Sequence, residues 1–281
     1  MSYRTLISVS DLLAHISDEN WLIFDCRFDL SNIDLGEQAY AENHIPGAYY
    51  AHLERDLSGE ITGQSGRHPL PEVQAITQFL TQCGLNQLSQ VVLYDGGGGV
   101  MASRLWWMLN WLGHENVAVL DGGFNAWQQA SAPLSQEVPL AKSGNFQAHV
   151  NSELVLTAEQ VSQALDQDYM LIDARAPERY SGEFEPLDKA AGHIPGAVNL
   201  PFMGNLSPNG TLQQSADLKT RFDEFLAGQS HSKVIHMCGS GVSACHNILA
   251  MAHAGLNCAK LYVGSWSDWA SKPERPIATG T

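Results

Sequence analysis

Short apolar runs rich in Val, Ile, Leu and Tyr recur along the chain, among them WLIF at 21–24, VVLY at 91–94 and KVIHM at 233–237. Between them lie longer stretches whose apolar residues fall at helical spacing, such as PEVQAITQFLTQCGL (71–85) and ASRLWWMLNWLG (102–113). Buried-strand runs alternating with amphipathic helices predict βαβ units, hence an α/β fold with a mostly parallel sheet flanked by helices. Ligands of such sheets sit outside the carboxyl ends of the strands. Asp95 and Cys238 stand at two of those ends.

The pattern occurs twice. WLIFDCRF is answered by YMLIDARA, each ending in an aspartate (Asp25, Asp173) with an arginine two places on, and AENHIPGAYY by AAGHIPGAVN, with His44 and His193 149 positions apart. VVLYDGGGGV matches KVIHMCGSGV, and LDGGFNAW matches YVGSWSDW, with Trp127 and Trp269 142 positions apart. Four matched segments in one order indicate a duplicated domain. The copies are expected over 1–130 and 151–281. The polar stretch SAPLSQEVPLAKSGNFQAHV (131–150), with two prolines and a glycine, is expected to link them.

Composition narrows the functional classes. The 281 residues are 44% hydrophobic and 16% charged, as in a folded domain pair and unlike a disordered chain. A formal net charge of −15 opposes binding to nucleic acid or to an anionic membrane. No apolar stretch is long enough to span a bilayer, and MSYRTLISVSDLLAHI lacks the pattern of a secretory leader, so a cytoplasmic location is expected. Five cysteines (Cys26, Cys83, Cys238, Cys245, Cys258) with no C-x-x-C pair suit reduced thiols better than a disulfide framework or a zinc ribbon. Cys238, Cys245 and His246 lack a second ligand pair, so no metal is expected, and no motif calls for an organic cofactor. The glycine run 96–99 has no following Gly-Lys-Ser/Thr and does not read as a nucleotide loop.

The chemistry concentrates in HMCGSGVSACHN (236–247). KVIHM reads as the strand, CGSGVS as a loop, and ACHNILAMAHAG as a helix stopping near Gly255. Gly239 and Gly241 are expected to adopt backbone angles closed to other residues, letting the amides of Gly239, Ser240, Gly241, Val242 and Ser243 turn in around the Cys238 sulfur. The helix beyond Val242 points its positive end at the same place. This setting favours a reactive thiolate, the form in which cysteine is a nucleophile. The first copy has Asp95 there, in a loop one residue longer, and an aspartate would fill the amide cradle itself. One active and one silent copy follow. The tryptophans Trp106, Trp107, Trp111, Trp127, Trp266 and Trp269 read as packing residues, His44 and His193 as turn-orienting, and Asp25 and Asp173 as partners of buried backbone and arginine.

The tandem copies, the two HIPGA segments, the CGSGVS loop and the closing GSWSDW resemble the two-domain rhodanese and 3-mercaptopyruvate sulfurtransferases over essentially the whole chain. The resemblance implies two tandem rhodanese-like domains and sulfur transfer in two steps. Cys238 takes the outer sulfur of a small anionic donor as a persulfide, and a thiol, a thioredoxin-like protein or cyanide then removes it. It further implies that Arg179 binds the donor. Read locally, Arg179 would instead be a surface helix arginine paired with Glu178 or Glu183. Ser240, His68 in GRHPLP and Glu54 are similar to a serine, histidine and acid set that handles protons at the donor carbonyl, with glutamate in place of aspartate. The loop resembles the mercaptopyruvate type, because Gly239 and Ser240 stand where the thiosulfate type is basic. A second donor-binding arginine of that type is Leu187 here, with Lys189 nearby as a possible charge. Thiosulfate and 3-mercaptopyruvate therefore both stay open. A phosphatase on the same fold would need an arginine at 244, which is alanine. A non-catalytic binding module would carry no persulfide.

Overall fold

In the computed structural model, which describes residues 2–63, 65–257 and 259–281, the chain forms two compact units. One comprises 2–59, 71–151 and 208–212, the other the described residues of 60–70, 152–207 and 213–281.

The first unit runs β1 (Leu6–Ile7), α1 (Val9–His15), β2 (Trp21–Asp25), α2 (Leu35–Glu42), β3 (Ala48–Tyr50), α3 (Val73–Gln82), β4 (Gln90–Tyr94), α4 (Ala102–Trp111), β5 (Val117–Leu120) and α5 (Gly123–Gln129). Its five strands are parallel, in the order β1-β5-β4-β2-β3. The second runs β6 (Val155–Leu156), α6 (Ala158–Leu165), β7 (Met170–Asp173), α7 (Pro177–Ser181), β8 (Val198–Asn199), α8 (Ser215–Leu226), β9 (Val234–Met237), α9 (Ser243–His253), β10 (Lys260–Tyr262) and α10 (Ser265–Trp269). Its parallel order, β6-β10-β9-β7-β8, repeats the first.

Central strands β4 and β9 are buried along their whole length, as a parallel sheet covered on both faces requires. That is why they read as unbroken apolar runs rather than as alternation. Trp106, Trp107, Trp111, Trp127, Trp266 and Trp269 are all buried.

The repeated motifs do the same work in each unit. Asp25 is fully buried and takes the Arg27 guanidinium through Nε and Nη2, at 2.9 and 2.6 Å to Oδ2, and Asp173 takes Arg175 at the same two distances. Arg27 also donates to the Asn43 carbonyl and Arg175 to the Gly192 carbonyl, fastening the residue before each HIPGA segment to the strand end. Each HIPGA histidine stacks on a tyrosine, Tyr40–His44 at 4.0 Å and Tyr180–His193 at 3.9 Å, and its Nδ1–H donates to that tyrosine's carbonyl. Each also pairs with a later segment through two backbone bonds, His44 with Ser135 and His193 with Ala278. These histidines and aspartates are framework, as their sequence context suggested.

The stretch 131–150, expected to link the copies, lies along the first unit. Ser135 bonds His44, Lys142 donates to the Gln82 carbonyl, and Phe146 is buried with its amide on Leu85. Its polar composition reflects one exposed side rather than freedom. Conversely, residues 60–70 belong with the second unit and 208–212 with the first.

Cys26, Cys83, Cys238 and Cys245 are buried and form no disulfide; Cys258 lies outside the described residues. Burial pushes the Cys26 thiol well up, with Asp25 adding to it, and pushes Cys83 up to about 12. Both are therefore neutral thiols at pH 8, and iodoacetamide should leave them unlabelled in the native protein; rapid labelling of either would contradict their placement. Removing one side of a buried ion pair strands the other charge. Asp173→Ala is expected to cost about 3–5 kcal/mol in urea unfolding, and a loss below about 1 kcal/mol, the worth of an exposed pair, would show that Arg175 finds another partner.

Candidate active site

Strand β9 ends at Met237 and delivers Cys238 to the carboxyl edge of the sheet, where the chain must turn before entering α9 at Ser243. The turn is made at Gly241, whose φ of +77° lies in the left-handed region that favours glycine. There the Gly241 N–H donates to Cys238 Sγ at 3.1 Å. The carbonyl of Gly241 accepts from Cys245 Sγ at 3.3 Å, tying the loop to the first turn of α9. Cys245 is thus a loop fastener within α9, and His246 lies on the same helix beside Asn205 at 3.2 Å.

Helix α10 straps the loop from the other side. The amides of Trp266 and Ser267 donate to the carbonyls of Cys238 and Gly239, and the Cys238 amide donates to Ser265 Oγ. Ser265 itself holds φ +53°, a position where the first copy has Gly123 at φ +57°. A serine there costs backbone energy of order 1 kcal/mol and gains a hydroxyl that fixes the cysteine's own peptide.

Gly239 differs from the expectation. It is not among the positive-φ glycines; what marks it is its crowded surroundings. An added Cβ would lie 3.0 Å from Arg67 Nη2 and 3.3 Å from both terminal nitrogens of Arg179. Two guanidiniums therefore press on the peptide that follows Cys238. Cys238 is only 2% exposed, a buried thiol within the loop rather than an open surface one.

The arginines are held by carboxylates. Arg179 donates through Nε and Nη2 to Glu185 at 3.1 and 2.8 Å, and through Nη2 to Asp188 at 3.3 Å. Arg67 Nη1 pairs with Asp188, and Arg175 Nη1 reaches Glu185 at 3.3 Å. Arg179 therefore has neither of the partners, Glu178 or Glu183, that helical spacing offered. Helix α7 stops at Ser181, Gly182 turns the chain at φ +81°, and the returning segment brings Glu185 and Asp188 underneath. Burial raises the Glu185 carboxyl, but hydrogen bonds from Arg179 and the Leu187 amide outweigh it and the net shift is down. For Asp188 burial wins over the attraction of Arg67 and the net shift is up.

Ser240 and His68, 172 positions apart in sequence, meet at 2.7 Å between Oγ and Nδ1, both buried. Glu54 lies in the first unit, exposed, its amide donating to His52 Nδ1. Lys189 is exposed, and the ion pairs around Arg179 run without it. Val242 and Ser243 complete the loop, Val242 as the residue preceding α9. Arg67 went unread in the sequence. Its one signal was its place next to His68, in a segment whose spatial partner lies some two hundred residues away, since the Arg67 amide donates to Ser267 Oγ at 3.0 Å.

The first unit supplies the comparison for the loop. Both Asp95 oxygens accept main-chain amides, Oδ1 from Gly97 and Gly99 at 3.0 and 3.1 Å, Oδ2 from Met101 and Ala102 at 2.8 and 3.4 Å. Burial raises this carboxyl against the pull of those four amides. The carboxylate occupies its own cradle, and α5 straps that loop as α10 straps the other, Phe124 and Asn125 donating to the carbonyls of Asp95 and Gly96.

The sequence pattern of the rhodanese-like domain matches residues 8–130 and 157–272. A Pseudomonas aeruginosa protein named "Probable 3-mercaptopyruvate sulfurtransferase" is 44% identical, the alignment covering 100% of both chains. A thiosulfate sulfurtransferase of Rattus norvegicus is 32% identical over 99% of this chain and 96% of its own. Among solved structures, the 3-mercaptopyruvate sulfurtransferase from Leishmania major superposes with a TM-score of 0.85 at 29% identity, covering 98% of this chain and 76% of that one. With two parallel α/β units of one topology, a cysteine loop in the second and full-length likeness to these enzymes, the chain belongs to the two-domain rhodanese and 3-mercaptopyruvate sulfurtransferase family.

Proposed function

We propose that this protein transfers sulfane sulfur through a persulfide on Cys238, with 3-mercaptopyruvate the favoured donor. The observation that carries the reading is the Gly241 amide donating to a buried sulfur in a loop flanked by guanidiniums. Cys238 reacts as the thiolate. It attacks the donor's sulfur, a new S–S bond forms, and the donor's bond to that sulfur breaks. With 3-mercaptopyruvate the C–S electrons pass to carbon, which takes up a proton to give pyruvate; with thiosulfate the electrons of its S–S bond leave on sulfite. A thiol, a thioredoxin-like protein or cyanide then attacks the outer sulfur and releases the Cys238 thiolate, a ping-pong cycle of covalent catalysis. Loop amides and the start of α9 stabilise negative charge on either sulfur form, and such preorganised dipoles cost no reorganisation during the reaction.

Arg179 is assigned to the donor's anionic group, where its fork suits a carboxylate or a sulfonate. The Ser240–His68 pair favours 3-mercaptopyruvate, because it offers a proton path beside the loop that a carbonyl donor uses and thiosulfate does not. In this reading Lys189 adds a general positive field, the copy carrying Asp95 is silent, and the protein works in the cytoplasm. No helix among the described residues is long and apolar enough to cross a membrane. The copies are taken as 1–130 and 151–281.

Intact-mass measurement after incubation with 3-mercaptopyruvate or thiosulfate should show one added sulfur atom, removed by cyanide and absent in Cys238→Ser. An unchanged mass with both donors would favour a binding module. Arg179→Ala should weaken donor use by about 1.5–3 kcal/mol in kcat/KM, the worth of a charged hydrogen-bond pair; wild-type kinetics would remove its role.

A further inference from the structure

Gly66 and Arg67 are clipped to the turn that holds the cysteine loop. The Arg67 amide donates to Ser267 Oγ, and a Cβ on Gly66 would fall 2.5 Å from the Gly264 carbonyl, so backbone meets backbone with no room between. This close seat fixes where the Arg67 guanidinium goes. It lies against Gly239, where Arg179 lies as well. The two guanidiniums share a single carboxylate, that of Asp188. Leu187, the neighbouring residue, is 48% exposed and has no charge to give.

We propose that Arg67 and Arg179 together form a two-arginine clamp for the donor's anionic group, and that Asp188 is a resident anion which the donor displaces from it. The proposal rests on the sulfur-transfer reading and names a residue that selects the substrate.

The two carboxylates of the cluster divide the work. Glu185 is bound to Arg179 through three contacts and to Arg175 through a fourth, and its net shift favours the charged form, so it stays and holds Arg179 in place. Asp188 meets Arg67 through one nitrogen and Arg179 at 3.3 Å, and burial disfavours its charge. A carboxylate so held is the one an incoming anion replaces at least cost. Arg175 is only 1% exposed and committed to Asp173, so it remains framework, whereas Arg67 and Arg179 are 30% and 20% exposed and reach incoming solute. Two planar forks beside one peptide give an anion two bidentate faces, which a single arginine cannot.

The clamp is tested apart from turnover by calorimetric titration of thiosulfate into Cys238→Ser, which cannot accept sulfur. Adding Arg67→Ala should weaken binding roughly tenfold or more, the effect of one charge-assisted bond, with Arg67→Lys in between because it keeps charge without the fork. Adding Asp188→Asn should tighten binding, a gain that mere damage to the fold does not produce. In otherwise wild-type enzyme, Arg67→Ala should raise the donor KM with kcat largely kept. Equal affinity with and without Arg67, weaker binding in Asp188→Asn, or no binding to Cys238→Ser at all would overturn the clamp. A clamp that responds to Arg67 in a protein that never gains sulfur would leave it standing and sink the sulfur-transfer reading; persulfide formation with undiminished affinity in Arg67→Ala would do the reverse.

Discussion

At the carboxyl end of a buried parallel strand the backbone has to leave the sheet, reverse and enter a helix, and its amides lose their strand partners as it does so. Buried amides need acceptors. In the first unit the acceptor is the Asp95 carboxylate, which takes four of them. In the second it includes the Cys238 sulfur, bonded by Gly241 at the turn. Both loops follow one duplicated plan, and the comparison says what the plan holds: a side-chain acceptor at the strand end, a carboxylate in one copy and a cysteine sulfur in the other.

The surrounding charge follows the same logic of partners. Each unit uses an Asp–Arg pair at the end of a strand to brace its HIPGA turn, and in the second unit Arg175, nearly sealed from solvent, is spent on that task. The more exposed Arg67 and Arg179 sit over the peptide after Cys238 instead. Guanidiniums this close to one another need carboxylates among them, which explains why Glu185 and Asp188 return beneath them. A side chain at Gly239 would press on that cluster.

Local features were legible in the sequence. The strand–helix alternation, the duplicated segments, and the cysteine and aspartate at matching strand ends all rest on residues near one another in the chain, and the structure places them as read. The contact between Ser240 and His68 was legible only through family resemblance, because local pattern does not connect residues 172 positions apart. Arg67 and Asp188 were missed for a related reason. One rides on a segment that leaves its own copy to join the other unit, and the other returns after a glycine turn that helical spacing does not anticipate. The way 131–150 lies along the first unit was not legible either, since prolines and polar residues suit both a connection and a border laid on a surface.

The account depends on where sulfur resides when the protein is loaded. A crystal structure determined after incubation with 3-mercaptopyruvate decides this directly. The expected map shows an extra sulfur bonded to Cys238 Sγ, within hydrogen-bonding reach of the loop amides and below the Arg67 and Arg179 guanidiniums. Sulfur on Cys245 or another cysteine, or a persulfide turned away from the loop backbone, would contradict it.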